Sequence, residues 1–161
     1  MMERVNRILN HPLYRECLDK ISEYEKDRIF CRHDMGHLLD VARLAWIFRL
    51  EQNVDTEKER VYAAALLHDI GKHIQYENKT PHQLAGLPIA EQILSDCGFT
   101  QEETKDILRA IASHRDVNVK DEQNLSGILY RADKMSRTCF GCKAEPECDW
   151  SMEKKNLKII Y

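Results

Sequence analysis

The chain has 161 residues, of which 43% are hydrophobic and 32% are charged, and its formal net charge is −3. This length fits one domain with a core of its own, and the charge gives no general reason to expect binding to nucleic acid or acidic membranes. No apolar run approaches the roughly 20 residues of a membrane-spanning helix, and the start lacks the apolar region of a signal peptide. We therefore expect a cytoplasmic protein whose six cysteines are reduced thiols or metal ligands.

The composition predicts an all-α fold, because there are only six glycines and four prolines and few alternating β-branched runs. The first predicted helix covers residues 12–27, where Leu13, Cys17 and Ile21 follow one another at helical spacing. Asn10 is its expected cap, and the charged residues 23–28 are expected to be its solvent-exposed end. We assign no chemistry to this helix.

The second predicted helix begins near Asp34 and carries an apolar stripe that includes Leu38 and Val41. His33, His37 and Asp40 are expected on one face of it, because residues three or four apart are neighbours on a helix. A solvated polar face is the alternative. The functional interpretation is favoured for His37, whereas the two interpretations of His33 are equally open.

The third predicted helix opens with a capping box at residues 56–59 and ends in an adjacent His68 and Asp69, after which Gly71 breaks the helix. One imidazole nitrogen and one adjacent carboxylate can bind a single metal ion or bridge two. A buried histidine beside a solvated aspartate would give the same dipeptide, so the pair becomes informative only together with other ligands. Residues 73–79 are predicted to form a loop.

Two more capping signals follow. Residues 80–83 place His82 at a helix start, with Pro88 expected to kink or restart that helix. Residues 100–103 form a third capping box and open a helix that leads to His114. The last predicted helix, residues 125–138, contains Asp133.

Six candidate ligands thus lie at the ends or on the faces of different predicted helices: His37, His68, Asp69, His82, His114 and Asp133. Helical proteins build metal sites from side chains that converge in this way. The chain contains His37, then the run from His68 to Lys72, and then a distant Asp133. This order resembles that of the HD-domain phosphohydrolase superfamily over about residues 30–137. The resemblance implies a single α-helical HD-domain bundle in which the H…HD…D residues bind a divalent metal.

Other positions resemble the HD subgroup that holds two metals. These are His82 with Gly86 and Ala90, and the run from Ile111 to His114. The subgroup includes the HD-type diadenosine tetraphosphate hydrolases, to which the chain is most similar, and the HD-GYP cyclic-di-GMP phosphodiesterases. The chain has no GYP-like signature, and Arg115 stands where the diadenosine-type enzymes usually have Thr. The substrate therefore stays open.

The resemblance implies a role for each residue. His37, His68, Asp69 and Asp133 would hold the first divalent ion (Fe, Mn or Zn), and His82 and His114 would hold the second, with Asp69 bridging. Lys72 would pair with a phosphate, although a solvated lysine after a helix end is equally open. The catalytic set would be Asp69, Lys72 and His33, and Arg32, Lys134 and Arg137 are further candidates for the substrate rim.

Together these residues predict a metal-dependent phosphohydrolase that cleaves a nucleotide or a related small phosphate ester with metal-activated water. The alternative is a non-catalytic HD-fold nucleotide sensor or partner-binding protein. We expect a small phosphate substrate, no membrane partner and no nucleic acid, while an oligomer stays open.

Three cysteines, Cys139, Cys142 and Cys148, lie within ten residues of one another. In a reducing compartment this pattern first indicates a metal site, with Cys31 as the fourth ligand and zinc or a [4Fe–4S] cluster as the cofactor. The spacing is similar to the iron–sulfur staple of certain helicase-nuclease proteins, which is the one hint of nucleic-acid processing. Free thiols are the alternative. We expect residues 1–138 to form the helical domain and residues 139–161 a Cys-rich tail packed on it.

Overall fold

The computed structural model describes all 161 residues, and every regular element in it is helical. The predicted all-α fold is confirmed. The α-helices are α1 (Glu3–Asn10), α2 (Pro12–Tyr24), α3 (Met35–Glu51), α4 (Lys58–Leu67), α5 (Lys72–Asn78), α6 (His82–Ala85), α7 (Leu87–Asp96), α8 (Gln101–Ser113) and α9 (Leu125–Met135). Short 3₁₀ turns cover Val117–Val119, Cys139–Gly141 and Glu145–Glu147.

Helix α4 lies at the centre of the bundle, in contact with α3, α8 and α9. Its last five residues, Ala63 to Leu67, are all buried in one continuous core with Phe48 of α3 and Ile111 of α8. Three successive alanines let the neighbouring helices approach closely, since side-chain size sets the distance between packed helices. The chain therefore delivers His68 and Asp69 to the middle of the molecule.

Several predicted helix starts are confirmed. Asp34 caps α3, where its side chain accepts the N–H of His37 at 3.0 Å. Thr100 and Glu103 form the predicted capping box of α8. Pro88 lies in the first turn of a new helix, α7, as expected of a proline that restarts a helix.

Other local predictions are wrong. Helix α1 was not predicted, and Asn10 belongs to it while His11 caps α2. The capping boxes at residues 56–59 and 80–83 do not form, because α4 follows Glu57 and α6 follows Pro81, neither with a side-chain cap. Glu59 accepts two hydrogen bonds from Arg4 instead, so a tertiary ion pair replaces the local cap.

Residues 73–79, predicted as a loop, mostly form α5. Their polar composition hides a helix because His73 is buried and α5 packs against α2 and α6. The expected solvent-exposed end of α2 is also partly wrong, since Glu25 is 3% exposed. Tertiary contacts decide both cases.

Residues 139–161 follow α9 without a core of their own, and Ala144 is the only buried residue among them. Asn156 fastens this segment to the end of α9, where its Nδ2 donates to the carbonyls of Lys134 at 2.8 Å and Arg137 at 3.0 Å. None of the helices combines the length and the apolar character that crossing a membrane requires.

Candidate metal centre

The six candidate ligands meet at the middle of the bundle. His68 caps the end of α4 and Asp69 follows it, while His37 lies in the first turn of α3. Five of the six residues are buried, and the side chain of His37 is 8% exposed. The remaining three ligands come from other elements: His82 begins α6, His114 caps the end of α8, and Asp133 lies in the last turn of α9.

Four of these side chains form one group whose ligand atoms all lie within 4.8 Å of one another: His37, His68, Asp69 and Asp133. The Oδ2 atom of Asp69 lies 3.0 Å from Nε2 of His68 and 3.6 Å from Nε2 of His37. The Oδ1 atom of Asp133 lies 3.7 Å and 3.5 Å from the same two nitrogens. Two imidazoles and two carboxylates at these separations could hold one divalent ion.

A second group consists of Asp69, His82 and His114. Here the other carboxylate oxygen of Asp69, Oδ1, lies 3.0 Å from Nε2 of His82 and 3.8 Å from Nε2 of His114. Asp69 is therefore common to both groups and turns a different oxygen to each.

The imidazole rings are fixed so that Nε2 faces the site. Nδ1 of His68 donates to the carbonyl of Ala65 at 2.7 Å, and Nδ1 of His114 donates to the carbonyl of Ile111 at 2.6 Å. Nδ1 of His82 lies 2.5 Å from Oε1 of Gln75. When Nδ1 carries the proton, Nε2 keeps its lone pair, which is the form that binds metal.

The polar atoms of the site fit a cation between them. Nε2 of His37 and Nε2 of His68 are buried and face carboxylate oxygens of Asp69 and Asp133 without forming a well-aligned hydrogen bond to either. Nε2 of His82 and Nε2 of His114 lie 3.1 Å apart, although with Nδ1 protonated neither can donate to the other. Neighbouring nitrogen ligands of one ion, with bonds of about 2.0–2.1 Å, lie roughly 2.9–3.4 Å apart. The donor set therefore fits a divalent metal.

The charges at the site also favour a cation. Burial alone would raise the pKa of Asp69, but the imidazoles of His68, His33 and His37 outweigh it and hold this pKa well below its usual range. Burial, and then the charge of His68, lower the pKa of His114 to about 3. Burial would also raise the pKa of Asp133, but His37 and His68 hold it well below its usual range. Both carboxylates therefore stay ionised, and the imidazole of His114 stays neutral, at pH 7.

His33 reaches the same site from the segment before α3, not from the helical face that the sequence predicted. Its Nε2 lies 3.9 Å from Oδ2 of Asp69. Its Nδ1 contacts the Glu25 carboxylate, which also accepts a hydrogen bond from the hydroxyl of Tyr76 at 2.6 Å. The buried Glu25 thus fixes the ring, with Nε2 toward the metal centre.

Cationic side chains lie close to the metal ligands. Burial lowers the pKa of Lys72, Asp69 acts against this, and Arg115 and Arg137 lower it further. Nη2 of Arg137 lies 3.4 Å from Oδ1 of Asp133. Nζ of Lys134 donates to Oδ2 of Asp133 at 2.5 Å, whereas Arg32 is exposed to solvent.

Sequence reasoning missed the residues that position the ligands. Glu25, Tyr76 and Gln75 hold His33 and His82, and Ser136 Oγ lies 3.4 Å from Nδ1 of His37. A signal for Glu25 was present, because it continues the buried spacing of Cys17 and Ile21 along α2. Nothing local marks the other three.

The predicted cysteine ligands are free thiols of intermediate burial. Cys31, Cys139 and Cys142 line a common cavity beside His37, but no three of the four thiol sulfurs lie within 4.8 Å of one another. The structure does not bring these cysteines into a group as compact as the two His/Asp groups.

The fold and the His/Asp site define the class of the protein. The HD-domain family model matches residues 35–138, and the chain belongs to the HD-domain family, whose members bind divalent metals.

An uncharacterized protein of Clostridium beijerinckii is 46% identical to the chain over 160 residues, which are 99% of this chain and 100% of that protein. Ribonuclease Y of Oleidesulfovibrio alaskensis is 28% identical over 135 residues, which are 84% of this chain but 24% of the ribonuclease. The chain thus spans about a quarter of the length of that relative.

One solved structure shares the fold. The crystal structure of a predicted HD superfamily hydrolase from an uncultured Thermotogales bacterium aligns with a TM-score of 0.62, covering 88% of this chain and 80% of that chain. The sequence identity is 23%. This likeness shows that the two chains share a fold, in agreement with the family match.

Proposed function

We propose that the chain is a two-metal phosphohydrolase of the HD superfamily that cleaves a small phosphate ester or anhydride, such as a nucleotide. The observation that carries the proposal is the position of Asp69, which turns Oδ2 toward His68 and Oδ1 toward His82. One carboxylate shared by two ligand groups is the arrangement of a bridged pair of divalent ions. The reaction would be of the kind catalysed by the diadenosine tetraphosphate hydrolase-like subgroup, with Fe, Mn or Zn as metal.

Six residues would hold the metals: His37, His68, Asp69 and Asp133 the first, and Asp69, His82 and His114 the second. When bound, the pair would supply a lowered pKa for coordinated water and neutralise charge on phosphate oxygens. Neutral imidazoles and ionised carboxylates are the ligand forms that such ions require.

Lys72, Arg115 and Arg137 would bind the phosphate. Nη2 of Arg137 lies 3.4 Å from Oδ1 of Asp133, and the side chain of Arg137 is 9% exposed. The main-chain N–H of Lys72 donates to the carbonyl of Asp69 at 2.9 Å, and Arg115 directly follows His114. Guanidinium groups match the geometry of phosphate oxygens, and an ammonium group adds a compact charge. Their mutual repulsion would be relieved by an anionic substrate.

His33 would hold or transfer a proton at Nε2. Glu25 occupies its Nδ1, so Nε2 is the nitrogen that faces the site, 3.9 Å from Asp69. A histidine oriented by a buried carboxylate is a usual arrangement for a general acid or base. Glu25 and Tyr76 would then be positioning residues.

RNA is a second candidate substrate, favoured by the likeness to ribonuclease Y over 135 residues. Phosphodiester hydrolysis uses the same metal chemistry. The formal net charge of −3 argues against RNA as the substrate, because tight binding to RNA relies on neutralising many phosphates with positive charge. A nucleotide sensor without catalysis is the remaining alternative, although it would not need a complete ligand set.

Metal analysis and a substrate panel test the proposal. Protein purified without oxygen and loaded with Fe²⁺, Mn²⁺ or Zn²⁺ should hold two ions, and His114→Ala should hold one. The panel should contain mononucleotides, dinucleoside polyphosphates, cyclic dinucleotides and a short RNA, with release of phosphate or shortened products as the readout.

We expect Asp69→Ala to lose both ions and all activity, and Asp19→Ala, at an exposed position of α2, to retain both. Two bound ions without turnover of any substrate would favour the sensor, and turnover of RNA alone would favour the nuclease. Full metal content in Asp69→Ala would refute the site.

A further inference from the structure

Four cysteines lie in the two segments of the chain that flank α3 and α9 and are not members of either His/Asp group. Cys31 lies two residues before His33, and Cys139, Cys142 and Cys148 follow the end of α9, where Asp133 lies. All four are free thiols of intermediate burial, unlike Cys17 and Cys97, which lie in the core. The two segments of the chain that meet here also carry His37 and Asp133, the first and last ligands of the metal centre.

Three of the thiols face one space. Cys31, Cys139 and Cys142 line a cavity of about 240 Å³, together with His37 and Arg137. The main chain holds the pair from the tail in a turn, because the N–H of Cys142 donates to the carbonyl of Cys139 at 3.2 Å. Two separate segments of the chain thus direct thiols into one cavity.

The main chain leads from Cys142 to the fourth thiol through two further turns. The N–H of Glu145 donates to the carbonyl of Cys142 and the N–H of Cys148 donates to the carbonyl of Glu145, each at 3.2 Å. Lys155 holds the second of these turns, because its Nζ donates to the main-chain carbonyl of Glu145 at 2.9 Å and to Oε1 of that residue at 2.8 Å. Cys148 thus follows Cys142 in one hydrogen-bonded series of turns.

The cavity also contains a buried donor without a partner. The side chain of Arg137 is 9% exposed, and its Nε has no hydrogen-bond partner. Buried polar groups are rarely left unpaired, because an unmade hydrogen bond leaves the full cost of removing the group from water. Nη2 of the same guanidinium lies 3.4 Å from Oδ1 of Asp133, and an anionic group in the cavity would pair with Nε.

The tail that carries three of the cysteines has almost no buried core of its own. Among residues 139–161 only Ala144 is buried, yet the segment forms two 3₁₀ turns, returns to α9 and places the ring of Tyr161 4.8 Å from that of Phe48. Terminal segments are ordered only where something ties them down, and an ion or cluster bound by thiolates would be one such tie.

We propose that these cysteines hold a [4Fe–4S] cluster, with one thiolate on each iron, supplied by Cys31, Cys139, Cys142 and Cys148. A single zinc ion with Zn–S bonds of about 2.3 Å would hold its thiolates roughly 3.8 Å apart. No three of the four sulfurs lie within 4.8 Å of one another, so the thiols are spread more widely than a single zinc ion requires, whereas four Cys thiolates are the ligand set of a [4Fe–4S] cluster. Arg32, Arg137 and Lys155 supply positive charge around what would be an anionic cluster.

The cluster has a structural role. It joins the segment before α3 to the segment after α9 and so fixes His37 and Asp133 relative to each other. It would also hold the tail at the edge of the metal centre, where Arg137 lies between the two sites. The cluster neither takes part in hydrolysis nor depends on the reaction proposed above.

The test is the content of iron and acid-labile sulfide in protein purified and reconstituted without oxygen. We expect four of each per chain in addition to any iron in the HD site, with the broad visible absorption of thiolate-bound iron. Cys31→Ser, Cys142→Ser and Cys148→Ser should each lose most of the sulfide and melt several degrees lower. Cys97→Ala, which removes a core thiol away from the cavity, should retain the sulfide.

Asp69→Ala separates the two sites, because it should lose the HD metals and keep the sulfide and the visible absorption. Wild-type protein without acid-labile sulfide after reconstitution would overturn the proposal, as would one zinc ion per chain in its place. Full sulfide in Cys31→Ser would overturn the assignment of the fourth ligand. Circular dichroism identifies any variant that fails to fold. If one serine variant does not fold, the sulfide content of the other two serine variants tests the proposal.

Discussion

Both oxygens of the buried Glu25 carboxylate are engaged by His33. Oε2 accepts the main-chain N–H of His33 at 2.7 Å, and Oε1 contacts the ring Nδ1. Burial alone would raise the pKa of Glu25, but His33 and then Tyr76 lower it to about 2. Glu25, which lies in a charged stretch of the sequence, thus sets the orientation of the His33 imidazole at the metal centre.

Glu25→Gln should lower activity about 10–100-fold, the usual effect of removing a partner that orients a metal-site side chain. The amide keeps the size of the side chain but loses the charge that holds Nδ1–H of His33. The measurement is kcat and KM of the metal-loaded protein on whichever substrate the panel identifies, with metal content in parallel. Glu23→Gln, on the exposed part of the same helix, is the matched control. Equal kcat for both variants would rule out the orienting role.

Gly71→Ala should destabilise the fold by roughly 2–4 kcal/mol and reduce binding of the second metal. A Cβ at Gly71 would lie 2.3 Å from the carbonyl oxygen of His82 and 2.5 Å from the nitrogen of Gly86. Both atoms are main chain and cannot turn away, so α6 would have to move and take His82 with it. Urea unfolding and metal stoichiometry are the measurements. Gly141→Ala has no atom within 4 Å of the added Cβ and should stay within about 1 kcal/mol of wild type.

Metal binding should release protons and strengthen with pH. Burial would lower the pKa of His68, but Asp69 and Asp133 raise it to about 10, so at pH 7 an ion must displace its proton. His114, whose pKa is about 3, has no proton to lose. We expect affinity at the first group to rise up to about tenfold per pH unit between pH 6 and 8, the limit for one displaced proton. Calorimetry in buffers of different ionisation enthalpy measures this release, and a value of zero would contradict it.

Glu103→Gln should lower the free energy of unfolding by about 2 kcal/mol at pH 7. Burial would raise the pKa of Glu103, but the N–H of Thr100 at 2.8 Å and Arg4 at 2.9 Å lower it to about 2. This carboxylate stabilises the fold fully above its usual pKa of 4.5, and the contribution falls as the pH drops from there toward 2.

Urea unfolding at pH 7 and pH 3.5 measures the loss. The difference in the free energy of unfolding between wild type and Glu103→Gln should be smaller at pH 3.5 than at pH 7. Glu102→Gln, exposed in the same helical turn, should show no such difference at either pH.

The candidate metal site shows which inferences the sequence alone supports. Three of its ligands lie beside helix ends that local signals mark: His37 after the Asp34 cap, and His68 and Asp69 after an apolar run. Their number and order in the chain were enough to predict a shared site, because residue types that bind metal seldom fall on so many helix ends by chance. The pattern around His33 leaves its role open, because that role depends on Glu25, which lies eight residues away in sequence.

Local pattern also decided the all-α class and the caps at Asp34 and Thr100, since hydrophobic spacing and capping need only neighbouring residues. Tertiary structure decided the rest. Polar residues 73–78 lie in a helix because α2 and α6 pack against it. Glu59 does not form the expected capping box, because its carboxylate binds Arg4 instead. Asp69 faces both ligand groups because Gly71 lets α6 approach its main chain. These outcomes depend on distances between segments far apart in the chain, which only the packed core fixes.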